Sequence, residues 1–126
     1  MAAASSYREL VVWQWSMELA EAVHKFGACL PYAERNRLID QMSRASMSVA
    51  LNIAEGSGRG SSKDYARFLS VARGSVAELE TILLPTVRLG YATDGEIRSM
   101  LELTDGISRM LAGLRRHLLS DQKKAR

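Results

Sequence analysis

A chain of 126 residues, 47% apolar and 25% charged, has the balance of one ordinary globular domain, which excludes a wholly disordered protein. Seventeen Lys and Arg against fourteen Asp and Glu leave a net charge of +3, a first hint of an anionic partner. Two prolines and one cysteine exclude a proline-rich rod and an intramolecular disulfide framework, so Cys29 reads as a free thiol. The start, MAAASSYRE, lacks the basic-then-apolar order of a secretory signal, and no run approaches the ~18 apolar residues that span a bilayer. A soluble, cytoplasmic chain with no membrane partner is the expectation.

Leu10, Trp13, Met17 and Ala20, and again Val12, Leu19, Val23, Phe26 and Leu30, recur at three- and four-residue steps. That period predicts an amphipathic helix over 10–30, with His24 on its buried side. Gly27 and Pro31 predict a turn over 28–33. From Glu34 to Gly56, Leu38, Met42, Ala45, Val49, Ile53 and Gly56 recur at the same steps, predicting a long second helix. Beside that stripe runs a second, polar one of Gln41, Arg44, Ser48, Asn52 and Glu55. It reads either as a solvated flank or as a buried or intersubunit hydrogen-bonding strip.

The segment Gly56–Ser62, GSGRGSS, is the strongest break in the chain, and Ser61 followed by Asp64 resembles a capping box opening a third helix. That helix is expected over 62–89, with Tyr65, Phe68, Ala72, Val76, Leu79, Leu83 and Thr86 on its core side. Pro85 removes the amide that would bond the Thr81 carbonyl, so a kink or an early end is expected there. Gly90, Thr93 and Asp94 mark the next turn, and the series from Ile97 through Leu101, Thr104, Ile107, Leu111, Leu114 and Leu118 predicts a fourth helix. The fold class is therefore all-α, an up-down-up-down antiparallel four-helix bundle forming one domain over 1–126, with 1–8 and 121–126 frayed.

No enzymatic chemistry is announced. The glycine-rich segment has neither the Walker order nor a preceding strand, so it reads as a helical-hairpin turn. His24 and His117 stand on different helices without a metal-binding spacing, no serine lies in a GxSxG context, and Cys29 has no local partner. No metal, cofactor or catalytic residue is expected.

Treating the second and third helices as an antiparallel pair gives the polar stripe partners. Arg44 is expected against Glu78, and Glu55 against Arg67 or Arg59, in buried geometry favoured by small neighbours such as Ala66 and Ser70. A buried pair of that kind fixes register more than it adds stability.

The residues Gln41, Arg44, Ala45, Ser48, Asn52, Ile53, Glu55 and Gly56, followed by Phe68, Ala72, Gly74, Ser75 and Glu78, form a long and specific signature. With Tyr7–Leu19 before it and Arg88–Tyr91 after it, the chain resembles the four-helix-bundle family encoded in intervening sequences of bacterial 23S ribosomal RNA genes. The resemblance implies a four-helix protomer that assembles as a five-membered ring. It also implies kinship with the accessory protein of diversity-generating retroelements, which binds nucleic acid and a reverse transcriptase. It supplies no catalytic residues. Trp15, Ala50 and Pro85 depart from the family pattern, and Trp15 is expected as an exposed anchor or an intersubunit plug. Ala45, Ser46, Ala50 and Ala54 suit close helix approach, within a protomer or between protomers.

Residues 115–126 hold five basic residues and one acid, leaving twelve basic and thirteen acidic residues in the rest of the chain. The positive excess is thus concentrated in Arg115, Arg116, Lys123, Lys124 and Arg126, with Arg59 and Lys63 as a second patch. The first functional reading is a non-enzymatic, ring-forming accessory factor that binds RNA, DNA or a nucleic-acid enzyme through these cations. The alternative is a self-assembling protein-interaction scaffold that binds no nucleic acid.

Overall fold

Apolar side chains three and four residues apart leave water only when helices lay those stripes against one another. In the computed structural model, which describes residues 6–124 and side chains as far as Asp121, four helices do so. They are α1 (Val11–Gly27), α2 (Asp40–Ser57), α3 (Ser62–Arg88) and α4 (Asp94–Lys124), with no strand among the described residues. α1 packs on α2 and α4, and α3 packs on the same two helices. The enclosed core holds Val12, Leu19 and Val23 of α1, Met42, Val49 and Ile53 of α2, Leu69, Val76, Leu79 and Leu83 of α3, and Ile97, Ile107 and Leu111 of α4. Each fully buried Leu or Ile contributes roughly 1.5–3 kcal/mol relative to exposure. Buried hydroxyls are satisfied locally: Ser16 donates to the Val12 carbonyl at 2.7 Å and Thr86 to that of Leu83 at 2.6 Å.

Contacts between helices fix which ends meet. Gly56, near the end of α2, lies against Tyr65 and Phe68 at the start of α3. Two turns earlier on α2, Ser48 shares a 2.8 Å hydrogen bond with Ser75, two turns later on α3. Farther along, Thr104 of α4 donates to Glu80 at 2.7 Å, and Arg73 reaches Ser108 at 3.4 Å. Sequence order inverts across each contact, so the start of α3 lies beside the later part of α4.

The turns explain the helix ends. Ser61 accepts the Asp64 amide at 3.1 Å, as the spacing predicts. Thr93 and Glu96 cap α4 reciprocally: the Thr93 amide donates to Glu96 Oε1 at 2.8 Å and the Glu96 amide to Thr93 Oγ1 at 3.2 Å. α3 closes with Gly90 at φ +81°, the Tyr91 amide donating to Thr86 O and the Gly90 amide to Val87 O, the paired bonds of a Schellman motif.

Several expectations are corrected. The second helix does not run unbroken from Glu34: Tyr32–Glu34 form a 3-10 turn and Arg35–Ile39 a π-helical turn before α2 begins. The wider turn lets adjacent Leu38 and Ile39 both reach the core. Pro85 does not end α3 early, because it lies in the last turn, where one missing amide costs one bond and the Leu89 amide still closes on Pro85 O at 2.9 Å. α4 continues past Ser120 to Lys124, and Tyr7–Glu9, which begin inside the 1–8 stretch expected to fray, form a 3-10 turn whose Tyr7 ring meets Trp13 edge-on at 5.4 Å. His24 is exposed rather than buried; the stripe that faces inward is Val12, Ser16, Leu19, Val23 and Gly27, and His24 stands one residue around from it.

Candidate nucleic-acid interface

The connection from α2 to α3 is short, so the start of α3 is held beside the end of α2, and the later part of α4 lies along it. This brings together cations that are about fifty positions apart in sequence. Lys63 and Arg67 of α3 and Arg115 of α4 line one cleft of about 450 Å³, with Ser61, Asp64, Ala66, Ser70 and Leu119. The two basic patches read separately from the sequence thus meet through Lys63 and Arg115.

The cations there are held differently. Arg67 donates from Nε to Asp64 Oδ1 at 3.0 Å and forms an ion pair with it at 2.8 Å, its guanidinium 4.5 Å from the centre of the Phe68 ring. Arg59, at the turn, lies 3.7 Å from both Glu55 and Asp64 and 4.8 Å from the same ring. Asp64 and Phe68 therefore gather two guanidinium groups, one from the turn and one from α3. Lys63 and Arg116 are exposed. Arg115 is half-buried, and its Nε is enclosed without a hydrogen-bond acceptor. His117 lies beside Asp121, with Nε2 3.1 Å from Oδ2. The side chains of Lys123 and Lys124, and the whole of Arg126, fall outside the described residues.

The polar stripe divides. Ser48, Asn52 and Ser75 form a linked set, Asn52 Nδ2 donating to Ser48 O at 2.8 Å and to Ser48 Oγ at 3.0 Å. Arg44 does not pair with Glu78 in a buried strip; it lies 3.4 Å from Asp40, one turn back on its own helix, and both are exposed. Glu55 meets Arg59 rather than Arg67, also on the surface. Gln41 and Glu78 line a shallow groove with Arg37, Gly74, Ala77, Thr81 and Ile82. Trp15 is exposed, at 38%, as the sequence leads one to expect, and one edge of its ring covers Gly106, where an added Cβ would fall 2.5 Å from Cζ3. Ala45, Ser46 and Ala50 are buried within the protomer.

At the opposite end lies a polar cluster absent from the sequence reading. Glu34, 4% exposed, accepts the Tyr91 phenol at 2.7 Å and Arg37 at 2.8 and 3.1 Å. The Tyr91 hydrogen bond and then that of Arg37 hold the Glu34 carboxyl below its ordinary value against the opposing effect of burial, while the same carboxylate raises the Tyr91 phenol. The Glu34 and Arg37 spacing signals a helical ion pair; Tyr91 carries no sequence signal, being 57 residues away.

Among the described residues no three His, Cys, Asp or Glu are placed to hold a metal ion, and no helix is long and apolar enough to cross a membrane. The geometry defines an all-helical protein with a cationic cleft at one end. The sequence profile of the 23S rRNA-intervening sequence proteins matches residues 8–113, and the chain belongs to that family. It is similar in fold to a crystal structure from Bacteroides thetaiotaomicron VPI-5482, described as a protein of unknown function from the S23 ribosomal protein family. The TM-score is 0.72 at 24% identity, over 83% of this chain and 98% of that one. No curated protein matches the sequence.

Proposed function

We propose that this is a non-enzymatic, cytoplasmic accessory protein whose four helices run up-down-up-down and whose protomers close into a pentameric ring that binds RNA or DNA through its basic ends. The observation that carries the reading is the convergence of Lys63, Arg67 and Arg115 on one cleft, with Arg59 and Arg116 in the surrounding basic segments. Cations gathered from two distant segments form a local field that the small net charge of the chain conceals. A ring would repeat it five times, turning weak phosphate contacts into avidity. A nucleic-acid enzyme such as a reverse transcriptase is a compatible further partner, as the family resemblance implies. The test is solution mass by light scattering together with filter binding of RNA and DNA. Five protomer masses and retention that falls steeply with salt support the reading; a monomer mass removes the ring, and no retention at low salt removes the nucleic acid.

A second reading, a self-assembling scaffold for protein partners, is favoured by exposed apolar side chains on α2 and α3: Met47 at 47%, Leu51 at 60% and Val71 at 46%. Pull-down of one specific protein that survives nuclease treatment, with no oligonucleotide retention, selects it.

A further inference from the structure

We propose that the cleft between the start of α3 and the later part of α4 is a seat for a single phosphoryl group, held by Arg115 and Arg67 with Lys63 at its mouth. The inference deepens the nucleic-acid reading and rests on it for the source of the phosphate, but not for the chemistry of the seat. Three observations carry it. First, the cleft holds about 450 Å³, within the ~300–1,000 Å³ range of small-ligand sites. Second, three cations line it against one carboxylate, Asp64, which is already engaged by Arg67 at 2.8 Å and by Arg59 at 3.7 Å. Like charges gathered from two helices repel unless an anion lies between them. Third, Arg115, which lines the cleft, has its Nε buried with no acceptor. A buried guanidinium N–H left unpaired is costly, and native structures leave few such groups.

A tetrahedral phosphoryl group answers all three. Its oxygens accept two N–H donors from one guanidinium, and an ammonium at the rim adds charge without demanding geometry. Ser61 and Ser70 also line the cleft. Ser61 already accepts the Asp64 amide, which leaves its hydroxyl proton available to a ligand. A planar carboxylate ligand would satisfy Arg115 alone, whereas cations on both walls favour an anion with acceptors on several sides. The phosphoryl group belongs either to a nucleic-acid backbone or to a small free phosphate, and the two sources are separable.

The test titrates inorganic phosphate, and separately a single-stranded RNA oligomer, into the isotope-labelled full chain while following backbone amides by NMR. Phosphate is expected to shift amides of residues 61–70 and 112–119 saturably, and the RNA to shift the same set. Arg115→Gln is expected to weaken phosphate binding on the order of tenfold, the scale of one charge-assisted hydrogen bond. Asp64→Asn is expected to tighten it, a gain that a misfolded protein does not produce. Phosphate binding in the cleft without RNA binding keeps the seat, removes the nucleic-acid reading and assigns a small phosphate compound as the ligand. RNA binding unaffected by Arg115→Gln, with no phosphate shifts in the cleft, overturns the seat while leaving the nucleic-acid reading intact. Phosphate shifts scattered over the surface and insensitive to both variants overturn it as well.

Discussion

Tyr91, in the turn after α3, donates its phenol to Glu34, in the connection before α2, at 2.7 Å. Two turns at one end of the molecule are thereby tied by a carboxylate that Arg37 also holds at 2.8 Å. Glu34 titrates below its ordinary value in the folded protein, so its contribution is present above the usual carboxyl range of ~4.3 and is lost as pH falls through the lowered value. Tyr91 is raised, so its contribution is present below its ordinary ~10 and is lost as pH climbs through the raised value. Tyr91→Phe is expected to lower Tm at neutral pH and to shrink the further fall on acidification. An unchanged Tm difference between pH 7 and acid removes the linkage.

Gly56 is required by packing rather than by backbone conformation. An added Cβ would lie 2.8 Å from Phe68 Cβ and 3.3 Å from the Tyr65 carbonyl oxygen, atoms that cannot swing aside without their backbone, and 2.9 Å from Tyr65 Cδ1. Gly56→Ala is expected to destabilise by about 1–2 kcal/mol, since contact with a Cβ that cannot swing aside puts the overpacking cost at ~2–3 kcal/mol, the upper part of its usual range, above the ~1 kcal/mol gain in helix propensity. Urea unfolding checks this; a variant as stable as the parent contradicts the close approach of α2 and α3.

Gly106 poses the same question with a different answer, because the obstructing group is the far end of the Trp15 side chain. Gly106→Ala alone is expected to be neutral or to cost up to ~2 kcal/mol, strain offsetting helix propensity. In a Trp15→Ala background the same change is expected to stabilise by about 1 kcal/mol. A double-mutant cycle with coupling near zero would show that Trp15 does not rest on α4.

What was legible in the sequence is what periodicity encodes. Stripes such as Met42, Val49 and Ile53 predict which helix face is buried, and Ser61 with Asp64 predicts where α3 begins, because both are local statements. The π-helical turn at Arg35–Ile39 was illegible: the features that accompany it, the Glu34 contact to Tyr91 and the packing of both Leu38 and Ile39 against the core, are long-range, and no local pattern records them. Arg44 was misassigned for a related reason. Asp40 is one turn away on the same helix, so an exposed pair forms there without the desolvation that a buried cross-helix pair to Glu78 demands. The cationic cleft was half legible. Lys63 and Arg115 each stood out by charge, yet their meeting, and the inclusion of Arg67, follow from how α3 and α4 are laid together.

The most direct measurement is the salt dependence of single-stranded RNA affinity for the parent and for Lys63→Gln combined with Arg115→Gln. Each phosphate contact contributes about −0.7 to the slope of log K against log salt on single strands. The double variant is expected to bind more weakly for every sequence tried, with the slope reduced in magnitude by about 1.4. A slope and an affinity equal to the parent's, or no RNA binding by the parent at low salt, would contradict the basic cleft as a nucleic-acid interface.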